Sequence, residues 1–381
     1  MLRSFCVSLA ADNIVKDAGM KIDRLLLFPY AIVLALRNFL YDKGLLKSYP
    51  SALPSVCVGN ITVGGTGKTP AVEMLIRLYR DSRKIAVVSR GYGRRTKGFR
   101  TVSVDDDYRD VGDEPLQIKR KFPNIIVVVD ASRRRAVDAL AAMPEETRPE
   151  LVILDDAFQH RRIRPDFSIV LVSSTRPVFK DCLLPLGRLR DLPSRIRKAD
   201  MVIVTKMEGS EVSSSEREHW RKCLRMPAGL PLLFSRITYL PVQPVIPEKG
   251  DSRYIYSKNA IVLSGIADDR SVRRGVGWNY SVVEVLSFGD HHDYRRSDIS
   301  KLASAVRRYP TAVIVTTEKD AQRLRGMAGI PDQVSSRLFY LPIESEIIPD
   351  VEPGRYLEQE LPALGYNELK NNIKIPSCPV S

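Results

Sequence analysis

Cysteine is scarce and unpaired in this sequence of 381 residues. The five cysteines are scattered along the chain without a C-x-x-C pair, so the pattern indicates neither a disulfide framework nor a structural zinc site. A reducing compartment fits this usage best. The length exceeds what one hydrophobic core comfortably holds, and we therefore expect two domains, one of them large.

The N-terminal apolar run is too short to cross a membrane. The stretch RLLLFPYAIVLALR, 24–37, has twelve apolar residues between two arginines, whereas a bilayer core requires about 20. It starts late for a secretory signal and lacks an adjacent small-residue cleavage site. Two interpretations stay open: a helix with flanking basic residues that lies in a membrane interface, or a core helix packed on the main domain.

Acidic residues are the minority among the charged residues. Asp and Glu number 45 against 59 for Lys and Arg, which gives a formal net charge of +14. This balance favours anionic partners: phosphorylated ligands, an acidic membrane surface or nucleic acid. No basic motif interleaved with aromatic residues supports nucleic acid, and we expect no nucleic-acid partner.

Short apolar runs alternate with helical stretches after residue 50, which is typical of a mainly parallel sheet with crossover helices. Nearly continuous Val and Ile runs predict strands buried on both faces. A proline-rich stretch near residue 245 separates these runs from a second, smaller α/β unit. The predicted strands are 55–61, 84–90, 124–130, 150–156, 167–173 and 200–206 in the first unit, and 260–266, 281–288 and 311–317 in the second.

The phosphate-loop signature G-x-x-x-x-G-K-[ST] lacks its opening glycine, because Thr62 stands there. The run GGTGKT nevertheless lies between the apolar strand SVCVGNI and the helical stretch PAVEMLIRLYR, as a phosphate loop requires. It resembles the variant loop x-G-G-x-G-K-[ST], although Val63 replaces the lysine that usually precedes the glycine pair. The pattern predicts an α/β, P-loop NTPase-like fold with helices on both faces of the sheet.

Phosphate binding by this loop follows from its residue types. Inward-facing backbone N–H groups and the helix N-terminus attract phosphate, Lys68 reaches the β and γ phosphates, and Thr69 offers its hydroxyl to Mg²⁺. The predicted nucleotide-binding residues are Gly64, Gly65, Thr66, Gly67, Lys68 and Thr69. The predicted domains are an N-terminal membrane-associating helical segment (1–48), a P-loop nucleotide-binding domain (49–240), a linker (241–253), a smaller α/β domain (254–346) and a tail (347–381).

Paired carboxylates follow a hydrophobic strand in LVILDDAFQHRR. Asp155 and Asp156 occupy the position of a Walker B carboxylate, which holds magnesium, often through water. Aspartates at a strand end also cap helices. Gln159 and His160 follow within a polar and cationic run whose individual roles stay open.

Two further motifs supply groups for proton transfer. Asp113 and Glu114 lie in GDEP, a predicted turn, where an aspartate can orient or deprotonate an acceptor hydroxyl. LSFGDHHDY places His291 beside an aspartate just past a predicted strand of the second unit. Plain surface placement explains either motif equally simply, and metal binding is a further alternative for the histidines.

Eight strings together resemble one family, tetraacyldisaccharide 4'-kinase, the lipid A 4'-kinase. They occur here in the family's order and cover about residues 25 to 342: VGNITVGGTGKTP, SRGYGR, VGDEP, LVILDDAFQHRR, LLPLGRLRD, VTK, FGDHHDY and VTTEKD. The resemblance implies transfer of a phosphoryl group from ATP to the 4'-hydroxyl of a tetraacyl disaccharide 1-phosphate. It also implies a place at the cytoplasmic face of the inner membrane of a Gram-negative bacterium.

Roles for individual residues follow from the same resemblance. It implies that Lys68 and Thr69 serve ATP and Mg²⁺, that Asp155 and Asp156 form the metal site, and that Asp113 acts on the acceptor hydroxyl with His291 as its partner. The family commonly has glycine where this chain has Ala157, a small change that leaves the metal site plausible. The candidates for contact with the substrate or with phosphate charge are Glu114, Gln159, His160, Arg188 and Arg190. Implied partners are a lipid A disaccharide precursor and an anionic membrane surface, with no obligate protein partner.

A regulatory GTPase or partitioning-type ATPase is the main alternative from another functional class. VTKME nearly matches a guanine-reading T-K-x-D motif, with Glu208 in place of the aspartate. This alternative leaves GDEP and GDHHDY unexplained, and nothing resembles a partner-driven arginine finger. A basic nucleic-acid-binding ATPase rests on net charge alone.

Overall fold

A computed structural model of the chain describes residues 23–266 and 268–349, and the side chains from residue 29 onward in its first helix. The predicted segment before residue 23 and the predicted tail from residue 350 lie outside the described residues. The strands are β1 (Tyr49–Pro50), β2 (Ser55–Gly59), β3 (Ile85–Ser89), β4 (Arg100–Thr101), β5 (Ile126–Val129), β6 (Leu151–Asp155), β7 (Ile163–Arg164), β8 (Phe167–Ser173), β9 (Met201–Thr205), β10 (Leu232–Tyr239), β11 (Gln243–Pro244), β12 (Asn259–Ser264), β13 (Ser281–Ser287), β14 (Val313–Thr317), β15 (Leu338–Leu341) and β16 (Ile343–Ile347).

Helices alternate with these strands through most of the described chain. Short 3-10 helices cover Val178–Lys180, Pro193–Lys198 and Ser252–Tyr256. The α-helices are α1 (Asp23–Asp42), α2 (Lys68–Tyr79), α3 (Tyr108–Val111), α4 (Asp113–Lys121), α5 (Arg133–Ala141), α6 (Ser214–Leu224), α7 (Arg270–Gly277), α8 (Arg296–Arg308), α9 (Glu318–Arg325) and α10 (Asp332–Ser335).

A nine-stranded sheet with the order β16-β10-β9-β8-β2-β6-β3-β5-β4 forms the larger unit. Only its edge strands β4 and β16 run antiparallel to their neighbours. On the central strand β2, Val56 and Val58 pack against the layer that contains α2, whereas Cys57 packs against the opposite layer with α5. Alternation of side chains on a strand with two apolar faces therefore explains the predicted fold class, which is confirmed.

Helix α2 begins directly at the phosphate loop. Gly67 precedes it with a φ of 84°, a left-handed conformation that glycine adopts without a steric penalty. Val72, Leu75, Ile76 and Tyr79 recur at helical spacing and are buried against β2. Burial of each such side chain contributes about 1.5–3 kcal/mol, so the packed face fixes the direction in which the helix N-terminus points.

A five-stranded sheet with the order β11-β15-β14-β12-β13 forms the smaller unit. Its strands are parallel except for β11, which pairs antiparallel with β15 at the edge. β11 lies inside the predicted linker 241–253, and Pro244 is tolerated there because an edge strand can spare a backbone donor. This segment is thus part of a sheet rather than a free connection.

The chain returns to the larger sheet at its described end. β16, which the sequence assigned mostly to the smaller domain, pairs with β10. The pairing begins with Tyr239 opposite Ile343 and ends with Ser235 opposite Ile347. Ile348, predicted to lie in the tail, is buried, and its N–H donates to Phe234 O. IESEI offers no continuous apolar run, so only the unpaired edge of β10 explains why it forms a strand. The division into domains stays a prediction. Two segments differ from it, because β11 in the predicted linker belongs to the smaller sheet and β16 belongs to the larger one.

Helix α1 packs on the larger unit with one face. Ala31 and Leu34 are buried in its hydrophobic core, whereas Val33 and Leu36 remain 60% and 54% exposed. The inner face of α1 therefore packs on the main domain, which is one of the two interpretations of this segment. Among the described residues, no helix combines the length and apolarity needed to span a bilayer.

Candidate active site

The phosphate loop is held by hydrogen bonds from both of its flanks. Asn60, directly after β2, donates through Nδ2 to Thr66 Oγ1 at 2.7 Å. Thr205 Oγ1, at the end of β9, donates to Thr66 O at 2.7 Å. Gly64 and Gly67 have φ values of 95° and 84°, which only glycine adopts readily. The loop is therefore preorganised, with its backbone fixed before any ligand arrives.

Lys68 extends from the first position of α2 toward the carboxyl ends of the central strands. Its Nζ lies 3.5 Å from Asn60 Oδ1 and 3.9 Å from Asp156 Oδ1, and its side chain is 17% exposed. Val63 is 47% exposed and brings no charge to the loop. Among the loop residues described, Lys68 thus supplies the cation that faces the phosphate position.

Asp155 is a buried carboxylate at the end of β6. It accepts a hydrogen bond from Ser89 Oγ at 2.9 Å. Burial, together with the charges of Glu114 and Asp156, raises the pKa of Asp155 to about 7, although Lys68 and the Ser89 hydrogen bond oppose the shift. A carboxylate in such a negative potential is suited to a divalent cation.

Asp156 is held differently from its neighbour. Arg190 donates to both of its oxygens, at 2.7 Å and 3.1 Å, and also donates to Asn60 Oδ1 at 2.5 Å. Burial raises the pKa of Asp156, but the Arg190 hydrogen bonds and the charge of Lys68 outweigh burial and lower it overall. The two aspartates therefore differ. Asp156 is ionised within an ion pair, whereas no cation of the described chain contacts the carboxylate of Asp155, and Arg133 donates to its backbone oxygen at 3.2 Å.

No group of three or more His, Cys, Asp or Glu side chains within the described ranges is arranged to hold a metal ion. Magnesium usually takes only one or two protein carboxylates, with water and phosphate oxygens completing the shell. Asp155 and the hydroxyl of Thr69 in the first turn of α2 are such ligands. This donor set fits magnesium and does not fit a structural zinc site.

Asp113 opens helix α4 and is buried between the two units. Arg323 of α9 donates to its Oδ2, and Lys319 Nζ of the same helix lies 4.0 Å from that oxygen. Burial raises the pKa of Asp113, but the hydrogen bond from His291 and the charges of Lys319 and Arg323 outweigh it, so the pKa lies well below its usual range. The carboxylate is therefore ionised.

His291 reaches the same carboxylate from the loop after β13. Its Nδ1 lies 3.3 Å from Asp113 Oδ2, and its ring centroid lies 5.3 Å from that of Tyr92. The structure thus brings together two predicted residues that the sequence separates widely. His292 has another environment, because its Nε2 lies 2.9 Å from Asp298 Oδ2 and its ring stacks on Phe288.

Gln159 and His160 line the start of the phosphate loop. Gln159 donates through Nε2 to Asn60 O and accepts at its own carbonyl from Arg37 at 2.8 Å. Burial, with the nearby charge of Arg133, lowers the pKa of His160 to about 4. His160 is therefore neutral at physiological pH and suited to hydrogen bonding rather than to charge.

Arg188 and Glu114 lie on opposite sides of the loop. Arg188 O accepts from Val63 N at 2.7 Å, and the Arg188 side chain lines a cavity of about 320 Å³ beyond the end of β8. Glu114 accepts a hydrogen bond from Lys319 at 3.2 Å. Arg188 and Arg190, which the sequence grouped together, thus face different parts of the site.

Comparison with known proteins decides the family. The family model described as tetraacyldisaccharide-1-P 4'-kinase matches residues 24–361. The tetraacyldisaccharide 4'-kinase of Parabacteroides distasonis is 41% identical over 336 residues, which cover 86% of this chain and 91% of the relative. That of Porphyromonas gingivalis is 39% identical over 329 residues, covering 85% and 91%. The chain belongs to the tetraacyldisaccharide-1-P 4'-kinase family.

A solved structure supports the fold assignment of this kinase. The protein is similar to LpxK from Aquifex aeolicus, whose crystal structure is a complex with ATP, with a TM-score of 0.62 and 26% identity. The match covers 91% of this chain and 95% of that one. The switch GTPase alternative is therefore wrong, and Glu208, its guanine-reading candidate, pairs instead with Arg274 of α7.

Several residues of the site in this family member escaped sequence reasoning. Asn60 and Lys319 lie within the quoted strings VGN and VTTEKD, yet neither had a role assigned. Ser89 opens the quoted string SRGYGR and was likewise given no role, whereas Arg323 has no local signature, because it reaches Asp113 across the fold. A hint existed for Asn60, Ser89 and Lys319, since each lies at or just after the end of a strand whose carboxyl end faces the site.

Proposed function

We propose that this kinase transfers the γ-phosphoryl group of ATP to the 4'-hydroxyl of a tetraacyl disaccharide 1-phosphate, a precursor of lipid A. One observation carries the assignment of the site: Asp113 and His291 meet, with Nδ1 3.3 Å from Oδ2. Glu114, the neighbour of Asp113, acts electrostatically on Asp155, which supports placing the acceptor near the nucleotide. A hydroxyl beside Asp113 would therefore face the phosphates held at the loop.

Nucleotide binding is assigned to the loop and the first turn of α2. Backbone N–H groups of residues 64–69 and the positive end of the helix bind the phosphates. Lys68 donates to the transferring group, where a fixed cation stabilises the charge of the transition state. Arg190 adds positive charge at the same position, since its guanidinium lies between Asp156 and Asn60.

Asp155 and Thr69 are proposed to hold magnesium, with Asp156 nearby. Bound magnesium neutralises charge on the phosphate oxygens. The high pKa of Asp155 makes its protonated and ionised forms similar in population near neutral pH, and a cation favours the ionised form. Ser89 keeps that carboxylate oriented through its hydroxyl.

Asp113 is proposed to accept the proton of the acceptor hydroxyl. Its Oδ2 is already contacted by Arg323 and His291, while Oδ1 accepts, among the described residues, only from the backbone N–H of Glu114, at 3.0 Å. His291 orients the carboxylate. We assign Gln159 and His160 to support of the phosphate loop, and Arg188 and Glu114 to the charged borders of the site.

We further propose that the kinase lies at the cytoplasmic face of the inner membrane of a Gram-negative bacterium. Exposed Ile32, Val33 and Leu36 on α1 form an apolar surface, and Lys43 and Lys47 follow it. Such a surface inserts shallowly into an anionic bilayer. The lipid substrate would then reach the site without leaving the membrane, and neither nucleic acid nor an obligate protein partner is needed.

Mass analysis after incubation with ATP, Mg²⁺ and a lipid A disaccharide precursor tests the proposed reaction. We expect one added phosphoryl group on the precursor, and no product without Mg²⁺ or with Lys68→Ala. Fragmentation should place the new group on the 4'-position. An unmodified precursor with an intact, folded protein would contradict the proposal, as would a clear preference for GTP over ATP in competition.

A further inference from the structure

The two ring nitrogens of His291 face groups of opposite charge. Nδ1 lies 3.3 Å from the carboxylate oxygen Asp113 Oδ2. Nε2 lies 3.2 Å from the ammonium nitrogen of Lys319. This lysine appears in no predicted role, although it is the described cation that contacts the far side of the imidazole.

The donor inventory around the ring indicates which nitrogen carries the proton. An ammonium has hydrogen atoms to donate and no lone pair, so the contact with Lys319 favours a lone pair on His291 Nε2. The hydrogen of a neutral imidazole then sits on Nδ1, where it points at Asp113. The opposite tautomer would direct an N–H at the ammonium and a lone pair at the carboxylate oxygen.

Arg323 approaches the other ring nitrogen without reversing this assignment. Its Nη2, which carries two hydrogens, donates to Asp113 Oδ2 and also lies 3.2 Å from His291 Nδ1. Each tautomer therefore leaves one ring N–H beside a cationic donor, but Asp113 Oδ2 lies 3.3 Å from Nδ1, whereas Asp290 Oδ2 lies 3.9 Å from Nε2. The nearer carboxylate oxygen favours the hydrogen on Nδ1, where it and Arg323 both donate to Asp113.

We infer that Lys319 is a positioning residue that keeps the imidazole proton of His291 on Nδ1, directed at Asp113. This inference rests on the proposed roles of Asp113 and His291 in proton transfer. With the proton on Nε2 instead, a lone pair would face the carboxylate oxygen, and the hydrogen bond that orients Asp113 would be lost. Lys319 disfavours that arrangement because its ammonium lies where an Nε2 hydrogen would point.

The surroundings of His291 make Lys319 the decisive cation for the ring. The charged groups facing the ring are Asp113 from α4, Asp290 from its own loop, whose Oδ2 lies 3.9 Å from Nε2, and Lys319 and Arg323 from α9. Tyr92 packs beside it without a charge. Removal of Lys319 removes the donor that faces Nε2, so a hydrogen on Nε2 would no longer point at an ammonium.

Lys319 is held in place from both ends. Its backbone lies in the first turn of α9, where Thr317 Oγ1 accepts from Asp320 N at 3.0 Å in a buried cap. Its Nζ donates to Glu114 Oε1 at 3.2 Å. Burial lowers the pKa of Lys319, but Glu114 and Asp113 raise it further, so the ammonium stays charged.

Nitrogen NMR of the histidine-labelled full-length protein tests this inference, with His291→Gln identifying the signal. At pH 7.5 we expect parent His291 to show a protonated Nδ1 and a bare Nε2. In Lys319→Met the proton should move at least in part to Nε2, because no ammonium then opposes it and Arg323 can donate to Nδ1. Lys319→Arg should restore the parent pattern. Lys249→Met, which breaks an ion pair with Asp332 away from the site, is the matched control.

The kinetic readout separates positioning from general damage. Lys319→Met should lower turnover on the order of tenfold with an unchanged KM for ATP. Lys319→Arg should recover most of the loss. Equal losses in both variants would overturn the positioning role.

The parent spectrum tests the inference even if Lys319→Met does not fold. A proton on Nε2 in the parent, or an unchanged His291 signal in a folded Lys319→Met protein, would overturn the inference. The spectra do not depend on catalysis. If the tautomer is as expected but Asp113→Ala keeps normal turnover, the proposed catalytic role fails and the assignment of the tautomer stands.

Discussion

Asp113 and His291 meet across the two sheets, with Asp113 Oδ2 and His291 Nδ1 3.3 Å apart. Asp113 begins a helix of the nine-stranded unit, and His291 lies at the end of a strand of the five-stranded unit. Neither side chain could be placed against the other by local folding alone. The contact therefore depends on how the two units pack, and mutation of one residue should change what the other can do.

Asp113→Ala should lower turnover by about 10²–10⁴-fold with little change in ATP affinity, because a general base acts on the transition state. His291→Ala should have the same kind of effect, but a milder one. If the two act as a unit, the double variant should lose far less than the product of the single losses. Turnover at saturating ATP and lipid measures all four proteins, with the exposed His219→Ala as a control.

Fully multiplicative losses would instead mean that His291 acts on another step, such as binding of the sugar. Near-normal turnover of Asp113→Ala would remove this carboxylate from the mechanism.

Lys68→Ala should reduce turnover by about 10²–10³-fold while the fold persists, since no other loop residue directs a cation at the phosphates. Steady-state rates together with thermal unfolding measure the two effects separately. Lys222→Ala removes an exposed lysine of α6 and should leave both unchanged. Substantial activity in Lys68→Ala would show that the phosphates bind elsewhere.

Asp155→Asn should raise the magnesium concentration needed for half-maximal rate by on the order of tenfold or more. Asp156→Asn should raise it less, because Arg190 already engages that carboxylate at 2.7 Å and 3.1 Å. Magnesium titrations of the initial rate compare the two variants. The reverse ranking would assign the metal to Asp156.

Glu73→Gln should become more stable relative to the parent as pH rises from 5 to 8. Burial, with the charge of Glu318, raises the pKa of Glu73 from 4.5 to about 7, although Lys121 opposes the shift. The folded state therefore binds a proton that the unfolded chain releases, and this stability is lost as pH rises through about 7. The size of this pKa shift limits the change in the free energy of unfolding to about 3 kcal/mol.

Denaturant unfolding at several pH values measures this difference. Glu346→Gln, which replaces a largely exposed carboxylate paired with Arg236, should show no such trend. A constant difference between Glu73→Gln and the parent across this pH range would mean that Glu73 is ionised throughout.

Val33→Asp combined with Leu36→Asp should weaken co-sedimentation with anionic vesicles several-fold without lowering the unfolding temperature, because both side chains are mostly exposed. Truncation of the helix would be a poorer experiment, since Ala31 and Leu34 belong to the core. Val104→Asp, at another exposed valine, serves as the control. Unchanged vesicle binding would show that α1 does not contact lipid.

The sequence predicted most of the long central strands and the edge strand β13, but it missed β10 and β15 inside the sheets and the edge strands β4, β11 and β16. β8 was placed at 167–173 as found, because a strand with two apolar faces is a continuous run of hydrophobic residues. β16 and β11 were missed, since edge strands carry polar residues and prolines and form only when a neighbour offers free backbone groups. Their positions depend on the partner strand, which no local pattern encodes.

Within the candidate site, too, local motifs were predictable and long-range contacts were not. The phosphate loop and the aspartate pair were predictable because each is a short motif between a strand and a turn or helix. Arg323 and Lys319 were not, because their function depends on contacts with Asp113 from the other unit and with His291 from a separate loop of their own unit. Arg190 was predicted as a phosphate candidate, but its engagement with Asp156 required the fold.

β10 and β16 are adjacent antiparallel strands, and Tyr239 faces Ile343 at their shared end. Residues 240–342, which include the whole five-stranded sheet, therefore occupy the place of a hairpin loop. In topological terms the smaller unit is an insertion whose entry and exit are neighbours. Its covalent connections to the larger unit lie at a single point, and everything else that holds His291 over Asp113 is non-covalent.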